Sequence, residues 1–211
     1  MKMEEMQQGS QRQRDRHQTE QRLLKAASEL IARDGFQALG VNALAKEAGV
    51  DKVLIYRYFG GLEGLMEQLG NQLELWLGDG HKAEIVEYPS YAHFAEVVLW
   101  RYAEALRKSI LLQRLLAWEL VSQDPLIHRL GIARSRAVSQ WFLRLGSKTP
   151  PPPAGVDVAV LNALLIGSVH HLVLRATSSG DFAGVDLKPE GIWERIRLEL
   201  SEVIHARLSP P

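Results

Sequence analysis

The chain has no cysteine, so it can have no disulfide framework, no thiolate metal site and no thiol nucleophile, and it suits a reducing cytosol. Nor does it carry an excess of charge, since 25 Lys and Arg residues stand against 25 Asp and Glu residues. A groove-binding protein needs a basic surface somewhere, so that balance directs attention to local runs. The opening stretch, MKMEEMQQGSQRQRDRHQ, lacks the apolar core of a signal peptide. The most membrane-like run, Val156 to Leu174, contains Asp157, Asn162, His170 and His171, each costly in a bilayer, and reads as a helix buried on two sides. No glycine-rich phosphate loop or nucleophile elbow occurs, which leaves an enzymatic reading without a motif. No His-x3-His pair or carboxylate cluster has ligand spacing, so neither metal nor cofactor is expected.

What is present is helical periodicity over 211 residues that are 46% hydrophobic, enough for a small N-terminal module and a larger helical one. The most informative stretch is GFQALGVNALAKEAGVDKVLIYRYF, from Gly35 to Phe59. Val41, Leu44, Ala45 and Ala48 fall on one face of a short helix, and Gly49 can close it in the left-handed conformation. Asp51 can cap a second helix from Lys52 to Phe59, with Ile55 and Phe59 turned inward. Its outer set, Lys52, Val53, Leu54, Tyr56, Arg57 and Tyr58, combines cations, phenols and small apolar groups, as a helix entering the major groove requires. Two amphipathic helices joined by a glycine also occur in proteins that never touch DNA.

The residue identities go further. Glycine with an aromatic, then V-x-x-L-A-x-x-A-G-V, a cap and I-Y-x-Y-F closely resemble the N-terminal module of the TetR (tetracycline repressor) family of bacterial regulators, over about Thr19 to Leu65. The resemblance implies a helix-turn-helix whose Asn42, Lys52, Val53, Leu54, Tyr56, Arg57 and Tyr58 meet operator DNA. Lys52 and Arg57 suit guanine edges, Asn42 suits adenine, Val53 and Leu54 suit thymine methyls, and the two phenols suit phosphates. There are departures. Gly40 stands where the family opens its second helix with Ser or Thr, Val53 where it often has a small residue or proline, and Leu62 where it often has lysine. Arg57 or the N-terminal arginines would then carry more of the backbone contact. Between Ser10 and Lys25 five cations (Arg12, Arg14, Arg16, Arg22, Lys25) face two anions (Asp15, Glu20).

The expected organisation is all-α: a disordered basic arm over 1–18, a helix-turn-helix domain over 19–65, and a helical ligand-binding and dimerisation domain over 66–211. Thr19 should cap a first helix ending at Asp34, with Phe36 and Leu39 plugging the core behind it. A linking helix should run from Leu62 to Leu77 until Gly78 and Gly80 break it, and Pro89 should open the next. Asp124-Pro125 should start a helix to Leu145, followed by a stiff spacer of four prolines. The last two helices, Val156 to Ala176 and Pro189 to Leu208, carry more apolar surface than one chain can cover, which points to a two-fold homodimer through Leu161, Leu165, Leu172, Trp193, Ile196 and Leu200. A small-molecule effector, of unknown identity, would sit among Trp100, Tyr102, Trp118, Glu119, Trp141 and His171. No strands are expected. The reading that follows is a ligand-responsive repressor on a palindromic operator. A helical ligand-binding or scaffold dimer without DNA binding stands behind it, and a small helical enzyme behind that.

Overall fold

The computed structural model describes residues 2–77, 82 and 84–209, the side chains of residues 2–10, 12 and 73 excepted. Among them are ten α-helices and one two-stranded hairpin. The break expected at Gly78 and Gly80 lies outside the described residues.

The first helix, α1, spans Lys2–Asp34. Residues 2–18, expected as a disordered arm, therefore continue a helix, and Thr19 lies inside it, its hydroxyl donating to the Asp15 carbonyl at 2.9 Å. The reason is local: the segment has no proline, is rich in helix-forming Gln, Arg and Glu, and makes i,i+4 contacts at Gln11–Asp15 (3.3 Å) and Arg16–Glu20 (2.7 Å).

The chain divides into two compact units, the first running to Gln72 and including Val121–Ser135, the second comprising Leu73–Leu120 and Arg136–Pro211. In the first unit α1 packs on α2 (Val41–Ala48) and α4 (Leu62–Gly70), and α3 (Val53–Phe59) packs on α4. Leu23, Ala27 and Ile31 of α1, Leu44 of α2, Ile55 of α3, and Leu65, Met66 and Leu69 of α4 are fully buried together. Phe36, in the 3-10 turn Phe36–Ala38, is buried as expected, and so is Leu39.

The helix expected over 62–77 is interrupted. Its first part ends at Gly70 with Asn71 as C-cap, and α5 restarts over Leu73–Leu77. Gly70 faces the amino-terminal half of α8 (Pro125–Leu145) within the same unit, where a Cβ would lie 2.6 Å from Ala133 Cβ and 2.7 Å from the Leu130 carbonyl oxygen. Only glycine permits that approach. Beside it Arg129 and Glu63 pair at 2.9 Å.

The second unit is built on α6 (Tyr91–Lys108), against which α5, α9 (Val158–Thr177) and α10 (Ile192–Leu208) pack. Pro89 stands outside α6, because the Ser90 hydroxyl takes the N-cap by accepting from the His93 amide at 3.1 Å. Asp124 and Asp157 cap the turns opening α8 and α9 in the same way. The helix α7 spans Ile110–Val121. Between α9 and α10 lies an unexpected hairpin: β1 (Asp181–Phe182) pairs antiparallel with β2 (Val185–Asp186), and Ala183 (φ 51°) and Gly184 (φ 79°) make a two-residue turn with both φ positive. It delays α10, which starts at Ile192 and not at Pro189.

Replacing Gly70 by alanine is expected to destabilise the protein by about 1–3 kcal/mol, the usual cost of overpacking, read as a fall in the thermal unfolding midpoint.

Candidate nucleic-acid interface

The helix α3 has only seven residues, too few to hold its shape alone. Three things fix it. Ile55 is fully buried beneath it, the Asp51 carboxylate accepts a 2.8 Å bond from the Val53 amide, and α2 is closed by Gly49 at φ 62°. Arg22 of α1 donates to the Ala48 and Gly49 carbonyls at 3.2 and 3.3 Å, fastening the turn from behind. An exposed network of Arg33 with Asp34 and Glu47 (each 2.8 Å) ties the end of α1 to α2, holding the Glu47 carboxyl below its ordinary pKa.

With Ile55 inward, the opposite face of α3 is open. Val53 is 60% and Tyr56 56% exposed, and Arg57 is exposed beside them. Lys52 is exposed in the turn before the helix, and Asn42 is exposed in the first turn of α2. Leu54 and Tyr58 are half-buried, so they belong to the flanks. Tyr58 has a partner that spacing did not indicate: the Arg16 guanidinium lies over its ring, 5.3 Å from the centroid. The seven expected residues thus fall on two adjacent elements, with Asn42, Lys52, Val53, Tyr56 and Arg57 accessible.

In the second unit the expected pocket residues separate. Tyr102 and Trp141 are buried, and Trp100, Trp118 and Glu119 are half-buried. His171 is exposed and packs edge-on against Phe182 of the hairpin, with ring centroids 4.4 Å apart, which removes it from the interior. Its neighbour His170 takes the inward position, its Nε2 lying 2.6 Å from the Tyr102 hydroxyl. The expected dimer residues also divide. Leu165 and Trp193 are buried inside the unit and cannot form a face for a second chain, whereas Leu161, Leu172, Ile196 and Leu200 are half-buried. The open stripe of α9 is instead Val160 (55% exposed), Leu164 (67%) and His171, with Leu198 and Val203 exposed on α10.

Comparison with known proteins bears on this arrangement. The profile of bacterial regulatory proteins of the tetR family matches residues 23–69, which are the buried part of α1 through α4. The HTH-type transcriptional regulator BetI of Vibrio atlanticus is 26% identical over 175 residues, covering 81% of each chain. Residues 23–69 thus match the DNA-binding module of the tetR family. BetI of Vibrio campbellii is 33% identical over 75 residues, a match that spans 38% of that protein's length. Two solved structures share the fold: FadR of Bacillus subtilis in complex with stearoyl-CoA (19% identity, 87% of this chain and 96% of that one, TM-score 0.61) and a tetR-family regulator from a Shewanella species (18%, 91% and 99%, TM-score 0.60). The family is one of transcriptional regulators and not of enzymes.

In the second unit the seam between α6 and α10 is polar and aromatic. Glu96 accepts from His205 Nε2 at 3.1 Å, Arg197 lies over Trp100 at 5.7 Å, and Arg107 lies over Trp193 at 4.5 Å. Burial pushes the Glu96 carboxyl pKa up, but hydrogen bonds from His205 and Ser201 and the charges of His205 and Arg197 outweigh it, leaving the group below its ordinary value. A depressed carboxyl stabilises the fold above its unfolded pKa and ceases to do so as pH falls through its folded pKa. Glu96→Gln should therefore cost stability near neutral pH, by less than about 1 kcal/mol because the pair remains open to solvent. The difference from wild type should close in denaturant titrations as pH falls through the folded pKa of Glu96, which lies below the ordinary carboxylate range.

Proposed function

We propose that the protein is a ligand-responsive transcriptional regulator that binds a palindromic operator as a homodimer through α3 and is released by a small molecule. The observation that carries the DNA-binding part is the pairing of a fully buried Ile55 with an open face of Val53, Tyr56 and Arg57 on one short helix, with Lys52 and Asn42 beside it. A rigid inner face and a mixed cationic and apolar outer face are what groove reading requires. Arg57 and Lys52 meet guanine edges or phosphates, Asn42 an adenine, Val53 and Leu54 thymine methyls, and Tyr56 and Tyr58 the backbone.

The dimer part rests on α9. By length and composition that helix could cross a membrane, and 17% of its apolar window is buried. Its inner side is that of a soluble core helix, with Leu165, Val169 and Val173 buried, His170 paired with Tyr102, and Asn162 hydrogen-bonded to Tyr91. A second copy laid against Val160, Leu164, Leu198 and Val203 would cover the outer stripe by two-fold symmetry. Two recognition helices would then meet successive major-groove faces about 34–36 Å apart, and the operator would be an inverted repeat.

Control by a ligand follows as a coupling free energy. If effector and operator favour different spacings of the two recognition helices, each weakens the other by the same factor. Trp100, Tyr102, Trp118, Glu119 and Trp141, all of the second unit, supply aromatic surface and one carboxylate for such a molecule. The Bacillus subtilis protein, solved with stearoyl-CoA, holds a small molecule in this fold.

The test is binding to the DNA upstream of the protein's own gene at two salt concentrations, followed by genome-wide site selection if that fragment is not bound. Tight, salt-sensitive binding that weakens at least about fivefold in Arg57→Ala supports the regulator, about 1–3 kcal/mol being the worth of one good base contact. Binding equal on all DNA and indifferent to Arg57 leaves a ligand-binding dimer. Leu164→Glu should yield a folded monomer by sedimentation, and a dimer that persists would place the interface elsewhere.

A further inference from the structure

We propose that the second unit has a binding site for one structural water beside Phe94, held between the hydroxyls of Tyr88 and Thr149. Tyr88 lies in the segment that leads into α6 and is only 6% exposed. Its phenol oxygen is buried, as is Thr149 Oγ1, and among the described residues neither has a hydrogen-bond partner. A buried hydroxyl left unpaired costs stability, so such groups in folded proteins pair either with the protein or with ordered water.

The two hydroxyls belong to one neighbourhood. The Tyr88 ring packs edge-on against Phe94 of α6, with centroids 5.3 Å apart. The tip of Phe94 meets the 3-10 turn Gly146–Lys148, where a Cβ on Gly146 would lie 3.0 Å from Phe94 Cζ. Thr149 is fastened to that turn, its amide donating to the Gly146 carbonyl at 3.0 Å. The phenol and the threonine hydroxyl therefore border the same ring from two connections, one before α6 and one after α8.

A neighbour supplies the contrast. Tyr91 packs on the same ring with centroids 5.7 Å apart, and its phenol is bonded directly to Asn162. Where a side chain reaches, the phenol beside Phe94 is paired; at Tyr88 the partner has to be brought. Water suits the place, because each hydroxyl can donate once and accept, and a bridging water does both. An ion would need a counter-charge, whereas the groups that meet here are rings, hydroxyls and a backbone turn. The bridge also fastens two connections that have few other anchors. Residues 84–87 and Pro89 are exposed, so Tyr88 alone buries a side chain in the segment 84–89. Thr149 is the last residue before the stiff run Pro150 to Pro153.

The test compares thermal unfolding midpoints of the full-length protein for wild type, Tyr88→Phe, Thr149→Val, these two combined, Tyr91→Phe, and Tyr91→Phe with Thr149→Val. Deleting either bridging hydroxyl should lower the midpoint by about 2–4 °C. The combined variant should lose no more than the larger single loss, because either deletion releases the shared water. Tyr91→Phe, which breaks a direct bond, should add in full to Thr149→Val. Amide hydrogen exchange over residues 84–90 should quicken in Tyr88→Phe and in Thr149→Val alike, with exchange in α1 unchanged. A midpoint that stays or rises in Tyr88→Phe means that the phenol is buried without a partner, and overturns the water. Additive losses in the combined variant overturn the shared site, and so does a crystal structure whose ordered water touches one of the two hydroxyls and not the other.

Discussion

The burial of Ile55 is the contact on which the interface depends. A seven-residue helix cannot fix its own direction, and α3 acquires one because this side chain is sealed among helices that bury Leu23, Ile31, Leu44, Leu65 and Leu69. A single inward residue sets the rotation of the helix, and the rotation decides that Val53, Tyr56 and Arg57 look outward together. The turn from α2 to α3 then sets its angle. Gly49 takes the left-handed conformation, Asp51 holds the Val53 amide, and Arg22 ties the end of α2 back to α1.

That part of the chain was legible in advance because each of its devices leaves a local signature. A left-handed glycine, a carboxylate cap and an apolar residue every three or four positions can all be read in a window of about ten residues. The helix α8 announced itself the same way through Asp124-Pro125. Where the determinant was not local, the reading failed. Leu65, Leu69, Leu73 and Trp76 keep helical spacing across a real break, because periodicity cannot register that Gly70 must admit Ala133 from a helix more than fifty residues away. The arm over 2–18 is helical by propensity and i,i+4 pairing without any apolar stripe, and so offered no pattern to find.

The errors on α9 share one cause. That helix has apolar residues on every side, so its phase is undefined in the sequence. Leu164 and Leu165 are chemically the same and about 100° apart; one is two-thirds exposed and the other is buried. His171 was expected in the interior, and for the same reason it is His170 that turns inward to pair with Tyr102 while His171 packs on Phe182. The hairpin that supplies Phe182 has strands of two residues, below the length at which alternation can be seen.

The partition of α8 between the two units bears on how such a protein can be taken apart. Residues Val121–Ser135 belong with the first unit although some fifty residues of the second precede them in the chain. The DNA-binding end is therefore not a cassette that ends at Gln72. A fragment cut there would leave the Gly70 notch empty and Glu63 without Arg129, so grafting this head onto another helical domain means carrying the first half of α8 with it. Exchange of this head is constrained by a helix whose residues are divided between the two units.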